Sequence, residues 1–148
     1  MDTPATTSHP TALRVVTLAA AVAVGVGGLL HLRTWDADYR SIPDGAVPGL
    51  WVVQTGFPAN ALASVVVAAA LIAVALGAMR SLRTGVVIAA IVLQLGSIGA
   101  LVASRGPGIF GWSETGYGGD AGQILVVEIA ATLLLIGAVI LGRRTPAA

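Results

Sequence analysis

The sequence predicts an all-α membrane protein, an antiparallel up-down bundle of four transmembrane helices with both termini cytoplasmic. Three observations lead there. The 148-residue chain is 56% hydrophobic and 10% charged, whereas a soluble domain carries about 25% charged residues. Its apolar residues gather into four stretches, near residues 13–34, 57–79, 85–103 and 122–142. Each is close to the about 20 residues that cross a ~30 Å hydrocarbon core. Arginines gather at alternate ends of the stretches, the pattern that sets orientation in multi-pass proteins.

The elements follow in order. Residues 1–12 are polar and expected to form a disordered cytoplasmic tail. The first stretch follows Arg14 like a signal peptide, but its length suits a retained span better than a signal core of ~7–15 residues. Residues 35–56 hold Asp36, Asp38, Arg40, Asp44, Pro43 and Pro48 and read as an external loop. Helix two is placed from Phe57, with a start near Pro48 as the alternative: a helix over 48–79 would be about 48 Å long, so its first turns would lie in the interface or above it. Pro58 cannot donate a backbone N–H, so a break or kink is expected between Thr55 and Asn60. Residues 80–84 form a tight basic turn into helix three, and residues 104–121 form a Gly-rich second external loop. Helix four follows, then a cytoplasmic tail at 143–148.

Orientation rests on arginine. Arg14, Arg80, Arg83, Arg143 and Arg144 fall on one side, while Arg33, Arg40 and Arg105 face five acids on the other. The arginine-rich side is cytoplasmic by the positive-inside rule, which puts both loops outside.

Composition removes several classes of chemistry. The chain has no Cys and no Lys, so thiolate sites, Schiff bases and phosphate-loop lysines are excluded. A net charge of +1 without a basic aromatic patch argues against nucleic acid. No cofactor or metal is expected: one His and one Glu make a poor zinc site. Ser64, Ser97 and Thr132 lie in helices without an evident His base, so serine hydrolysis has no support.

Small residues at four-residue spacing allow helices to approach closely in lipid. Ala21 with Gly25, Ala23 with Gly27, Ala69 with Ala73 and Gly77, Gly85 with Ala89, and Gly96 with Ala100 have this spacing. They read as the inside of the bundle, with a dimerisation face as the alternative.

Glu128 is the acid well inside an apolar stretch. A carboxylate there costs roughly 3 kcal/mol on insertion scales, so it must be protonated, paired or facing a wet cavity. His31 near the end of helix one shares its depth and is a candidate proton or ligand partner. Asn60 and Gln94 are amides in apolar surroundings, expected to hydrogen-bond to facing helices. Trp35, Tyr39, Trp51, Phe110, Trp112 and Tyr117 all map to the external side. They read as an interfacial aromatic belt that could also roof a pocket above Glu128. In the second loop, Ile109, Phe110 and Trp112 are expected to dip into the interface or cap the bundle. Glu128, His31, Asn60, Gln94 and Tyr39 are the candidate ligand- or proton-binding residues.

Several segments carry a resemblance. His31-Leu32, Trp35, Tyr39-Arg40-x-Ile42-Pro43 and Phe57-x-x-Asn60, with Gly108-Ile109-Phe110-Gly111-Trp112-x-Glu114 and the helix-four acid Glu128, resemble a group of small four-helix membrane proteins of actinobacterial type. The chain departs from that group between Pro43 and Phe57, where it is longer, and in having Pro58. The resemblance implies a fold and no activity. The expected function is a non-enzymatic accessory subunit, or an outer-leaflet binder of a small ligand or lipid with His31, Asn60 and Glu128 at the polar end. The alternative is a small proton-coupled carrier using Glu128. Expected partners are membrane lipid and further copies or a larger membrane complex.

Overall fold

The computed structural model describes residues 9–143, with side chains from Thr11. The tail segments expected at 1–8 and 144–148 lie outside the described residues. The elements are α1 (His9–Thr34) running into a π-helical turn (Trp35–Tyr39), α2 (Leu50–Ala75), a 3₁₀ turn (Arg80–Leu82), α3 (Arg83–Arg105) and α4 (Gly119–Arg143). Among the described residues there is no strand, only an isolated bridge between Ile109 and Trp112. All four long helices are long and apolar enough to cross a membrane. Large apolar side chains such as Val22, Leu62, Val66, Val92, Val126 and Leu133 point outward, as suits helices solvated by lipid.

The helices form a ring in the order α2, α1, α4, α3, and its loosest seam lies between α2 and α3. One apolar cluster, built on Ala20, Ala21, Val24, Leu71, Val87, Ala90, Ala131 and Leu135, fills the middle. A second cluster of Tyr39, Leu50, Val53 and Trp112 caps the end that carries the two long loops. At the opposite, arginine-rich end, Arg14 Nε donates to the Ala75 carbonyl at 3.0 Å.

Three expectations need correction. First, α1 is already helical at His9, the first described residue, ahead of the expected residue 13. Second, α2 starts at Leu50 and runs unbroken through Pro58 to Ala75, ending short of residue 79. This start is close to the longer alternative, and the first turn is covered by the second loop, with Leu50 and Val53 buried beneath it. Gly49 makes this possible. It takes a left-handed φ of 74° before the helix, and a Cβ there would sit 2.8 Å from the Phe110 carbonyl oxygen and 2.7 Å from Gly111 carbonyl carbon. The missing donor at Pro58 falls opposite the Gln54 carbonyl, a loss that helices in membrane proteins absorb locally.

Third, the small pairs read from the sequence divide. Ala21 lies in the central cluster with Ala23 packed against it, but a close approach of two helix backbones falls at Gly28 of α1, outside those pairs, where a Cβ would lie 2.6 Å from Ser64 Cβ on α2. Gly25 and Gly27 make ordinary van der Waals contacts, while nothing lies within 4 Å of such a Cβ at Gly85, Gly96 or Gly99.

Candidate functional site

Spacing along the helices brings polar groups together below the cap. His31 lies one turn before the end of α1 and Glu128 nearly three turns into α4, both facing inward; Glu128 is 1% exposed and His31 6%. Their Nε2 and Oε1 atoms are 2.9 Å apart. Glu128 is therefore turned away from lipid and paired with the helix-one candidate. Ser97 of α3 approaches the same nitrogen, its Oγ 3.1 Å from His31 Nε2. Phe57 of α2 closes the imidazole from another side, edge-on with centroids 5.0 Å apart. All four helices thus contribute a side chain around one ring.

This corrects the reading of Ser97, which does have a His beside it. It does not create a hydrolytic triad. A triad needs the hydroxyl on one imidazole nitrogen and the acid on the other, whereas both partners here use Nε2, and Nδ1 is buried without a partner. With Nε2 protonated, it donates to Glu128 Oε1 and Ser97 Oγ together and leaves the serine hydrogen free. Glu128 Oε2 is also buried without a partner.

His31 of this pair forms part of the wall of a groove. Where α2 and α3 separate, a cavity of about 490 Å³ opens to the side of the bundle. Its cause is legible in side-chain size. Gly56, Ala59, Asn60 and Ala63 line it from α2, and Gly96, Ser97, Ala100 and Ser104 from α3. Two helices that face each other with such short side chains leave space unless their axes close up, and here the axes stay apart. His31 and Phe57 reach the same space, and Ile109, Trp112, Arg105 and Glu114 line its loop end.

That loop end is held by a polar network. Arg105 Nη2 donates to Glu114 Oε2 at 2.6 Å, and Tyr39 OH donates to Glu114 Oε1. Arg105 also donates to Ser104 Oγ at 2.9 Å and to the Gly116 carbonyl at 2.8 Å. The Glu114 amide donates to the Ser104 carbonyl at 2.9 Å, tying loop to helix. Between them, Ile109 and Trp112 exchange backbone hydrogen bonds of 2.8 Å. The tight turn between them places both Phe110 (φ 48°) and Gly111 (φ 86°) at positive φ, the signature of a type I′ turn. It holds Trp112 in the cap and points Phe110 outward against Trp51, with ring centroids 5.6 Å apart. The aromatic set therefore splits. Trp51, Phe110 and Tyr117 are exposed as a belt would be, but Tyr39 and Trp112 are buried parts of the cap.

The remaining candidates sit differently from expectation. Asn60 does line the groove, but its Oδ1 accepts from Ser64 Oγ on its own helix at 3.1 Å rather than from a facing helix. Gln94 is 2% exposed and outside the groove lining, and its Oε1 has no partner. Tyr39 is also outside the lining and acts on Glu114. Sequence reasoning missed Ser97 as the third group at His31, the Arg105–Glu114 bridge and the groove. The signal available was the paired runs of small residues at three- and four-residue spacing in stretches two and three.

No protein-family model matches the chain, and no curated protein or solved structure matches it.

Proposed function

We propose that the protein is a multi-pass plasma-membrane protein that binds a small apolar or lipidic ligand from the outer leaflet, in the groove between α2 and α3. Both termini are cytoplasmic in this reading, and the groove lies in the outer half of the bilayer. The positions of the arginines support that orientation, and Ile109, Trp112 and Glu114 of the second loop roof the groove.

The observation that carries the reading is the groove. Its volume of about 490 Å³ falls within the ~300–1,000 Å³ usual for small-molecule sites, which are mostly apolar with a few placed polar groups. Here the walls are Val, Ala, Leu and Gly, and the polar groups are His31, Asn60, Ser97, Ser104 and the bridged Arg105 and Glu114. A side opening suits a ligand that arrives through the bilayer.

Photolabelling tests this. A diazirine-bearing lipid analogue in membranes holding the intact protein is expected to mark peptides of α2 and α3 at the groove. Gly96→Phe, which fills the space, should abolish the mark without unfolding the bundle, because nothing lies within 4 Å of a Cβ there. Labelling spread evenly over all four helices and unchanged in the filled variant would count against the site. The carrier alternative needs a wet path from Glu128 toward the arginine end. The tightly packed layer of Ala20, Val24, Leu71, Ala90, Ala131 and Leu135 weighs against it.

A further inference from the structure

We infer that the groove selects a neutral head group bearing ring carbonyl or hydroxyl oxygens, that of a membrane-soluble quinone or phenol, over the anionic head of a fatty acid or phospholipid. The inference rests on the groove being a ligand site and adds the class of ligand.

Charge is the first ground. The ionisable groups that line the groove are His31, Arg105 and Glu114. Each is already committed: His31 to Glu128 at 2.9 Å, Arg105 to Glu114 at 2.6 Å, and Glu114 also to Tyr39. An anionic head would enter a low-dielectric space with no spare cation, and must compete with Glu114 for Arg105 or with Glu128 for His31. Burying an uncompensated charge costs several kcal/mol. A neutral head meets no such penalty.

Hydrogen-bond supply is the second ground. Asn60 Oδ1 is taken by Ser64, which leaves the amide hydrogens for the groove. Across from it, the Ser97 hydroxyl retains its hydrogen whenever His31 Nε2 donates to both Ser97 and Glu128. One wall on α2 and the other on α3 therefore each offer a donor, the complement of carbonyl or phenolic oxygens on a ring. Shape is the third ground. Phe57 lines the groove beside His31 and Tyr39, with centroids 5.0 and 5.3 Å away. An aromatic surface of this kind receives a flat ring by offset or edge contact.

Competition on the purified full-length protein tests the inference. The probe is a decyl-benzoquinone carrying a diazirine. The competitors are unlabelled decyl-benzoquinone, a chain-matched fatty acid and phosphatidylglycerol. The unlabelled quinone is expected to displace the probe at a concentration at least about tenfold below either anionic lipid. Ser97→Ala and Asn60→Ala should each weaken the quinone about 2- to 10-fold, the effect of one hydrogen bond, and Ser97→Thr should restore it. Glu114→Gln keeps a hydrogen-bonding side chain but frees Arg105. It should raise fatty-acid competition about tenfold relative to quinone competition in the same variant. Equal displacement by fatty acid or phosphatidylglycerol would overturn the head-group selection and leave the groove standing as a lipid site. Labelling that no competitor displaces, or that falls away from α2 and α3, would overturn both.

Discussion

A buried acid and a buried imidazole share their fate at positions 31 and 128. Each carries one nitrogen or oxygen without a partner, and their direct contact is what compensates the rest. Glu128→Gln can still bond to His31, so its stability should stay within about 1 kcal/mol of the parent. Glu128→Leu leaves the imidazole nitrogen with Ser97 alone and is expected to cost about 1–3 kcal/mol. Reversible unfolding in mixed micelles measures both, and a Leu variant as stable as the parent would show that the contact contributes nothing. A double-mutant cycle with His31→Ala should give a coupling of about 0.5–2 kcal/mol, the range seen for side chains in contact and for hydrogen bonds within membranes. The loop-end bridge differs from the exposed Arg40–Asp36 pair. Arg105 and Glu114 side chains are 10% and 20% exposed, those of Arg40 and Asp36 64% and 62%. Surface pairs contribute little, so Asp36→Ala should be nearly silent. Glu114→Ala should lower the unfolding midpoint, since it unties Arg105 and Tyr39 at once.

At the level of elements, glycines of the same helical class behave in opposite ways. Gly28 sits against Ser64 Cβ and the Ala61 carbonyl, so an added methyl must push α1 and α2 apart. Gly28→Ala is expected to cost about 1–3 kcal/mol, typical of overpacking. Gly99 of α3 has nothing within 4 Å of its Cβ position, and Gly99→Ala should be neutral or gain up to about 1 kcal/mol from helix propensity. Thermal denaturation of the two variants side by side reads the difference. The start of α2 belongs to the same scale. Leu50 to Val53 are apolar, and in sequence they read either as the end of the loop or as the first turn of a longer helix. They are helical because the Ile109–Trp112 turn lies over them and takes Leu50 and Val53 into the cap. Pro58 then falls inside a helix already nucleated on both sides, which is why no interruption appears between Thr55 and Asn60.

For the molecule as a whole, the absence of cysteine turns into an experimental advantage. Single-cysteine variants have no background thiol. With the proposed orientation, Cys at Asp44 or Gly116 should react with an impermeant maleimide added to intact cells, while tags at residues 2 and 147 should stay protected. Any one of the four on the other side would reverse the orientation. Helical class, the number of apolar spans and the isolation of Glu128 were all legible in the sequence. The reason is that each depends on transfer free energies summed residue by residue along the chain, with no knowledge of neighbours. The same one-dimensional reading placed Gly96 and Ala100 as packing residues, and there it failed. Whether a small side chain draws two helices together, as at Gly28, or leaves a groove between them, as at Gly96, depends on how each helix is rotated and which helix it faces. That rotation is decided by contacts between residues far apart in sequence: His31 with Glu128, Gly28 with Ser64, and Gly49 with the turn at Gly111. The tertiary structure alone brings these together, and with them the groove that the proposed function needs.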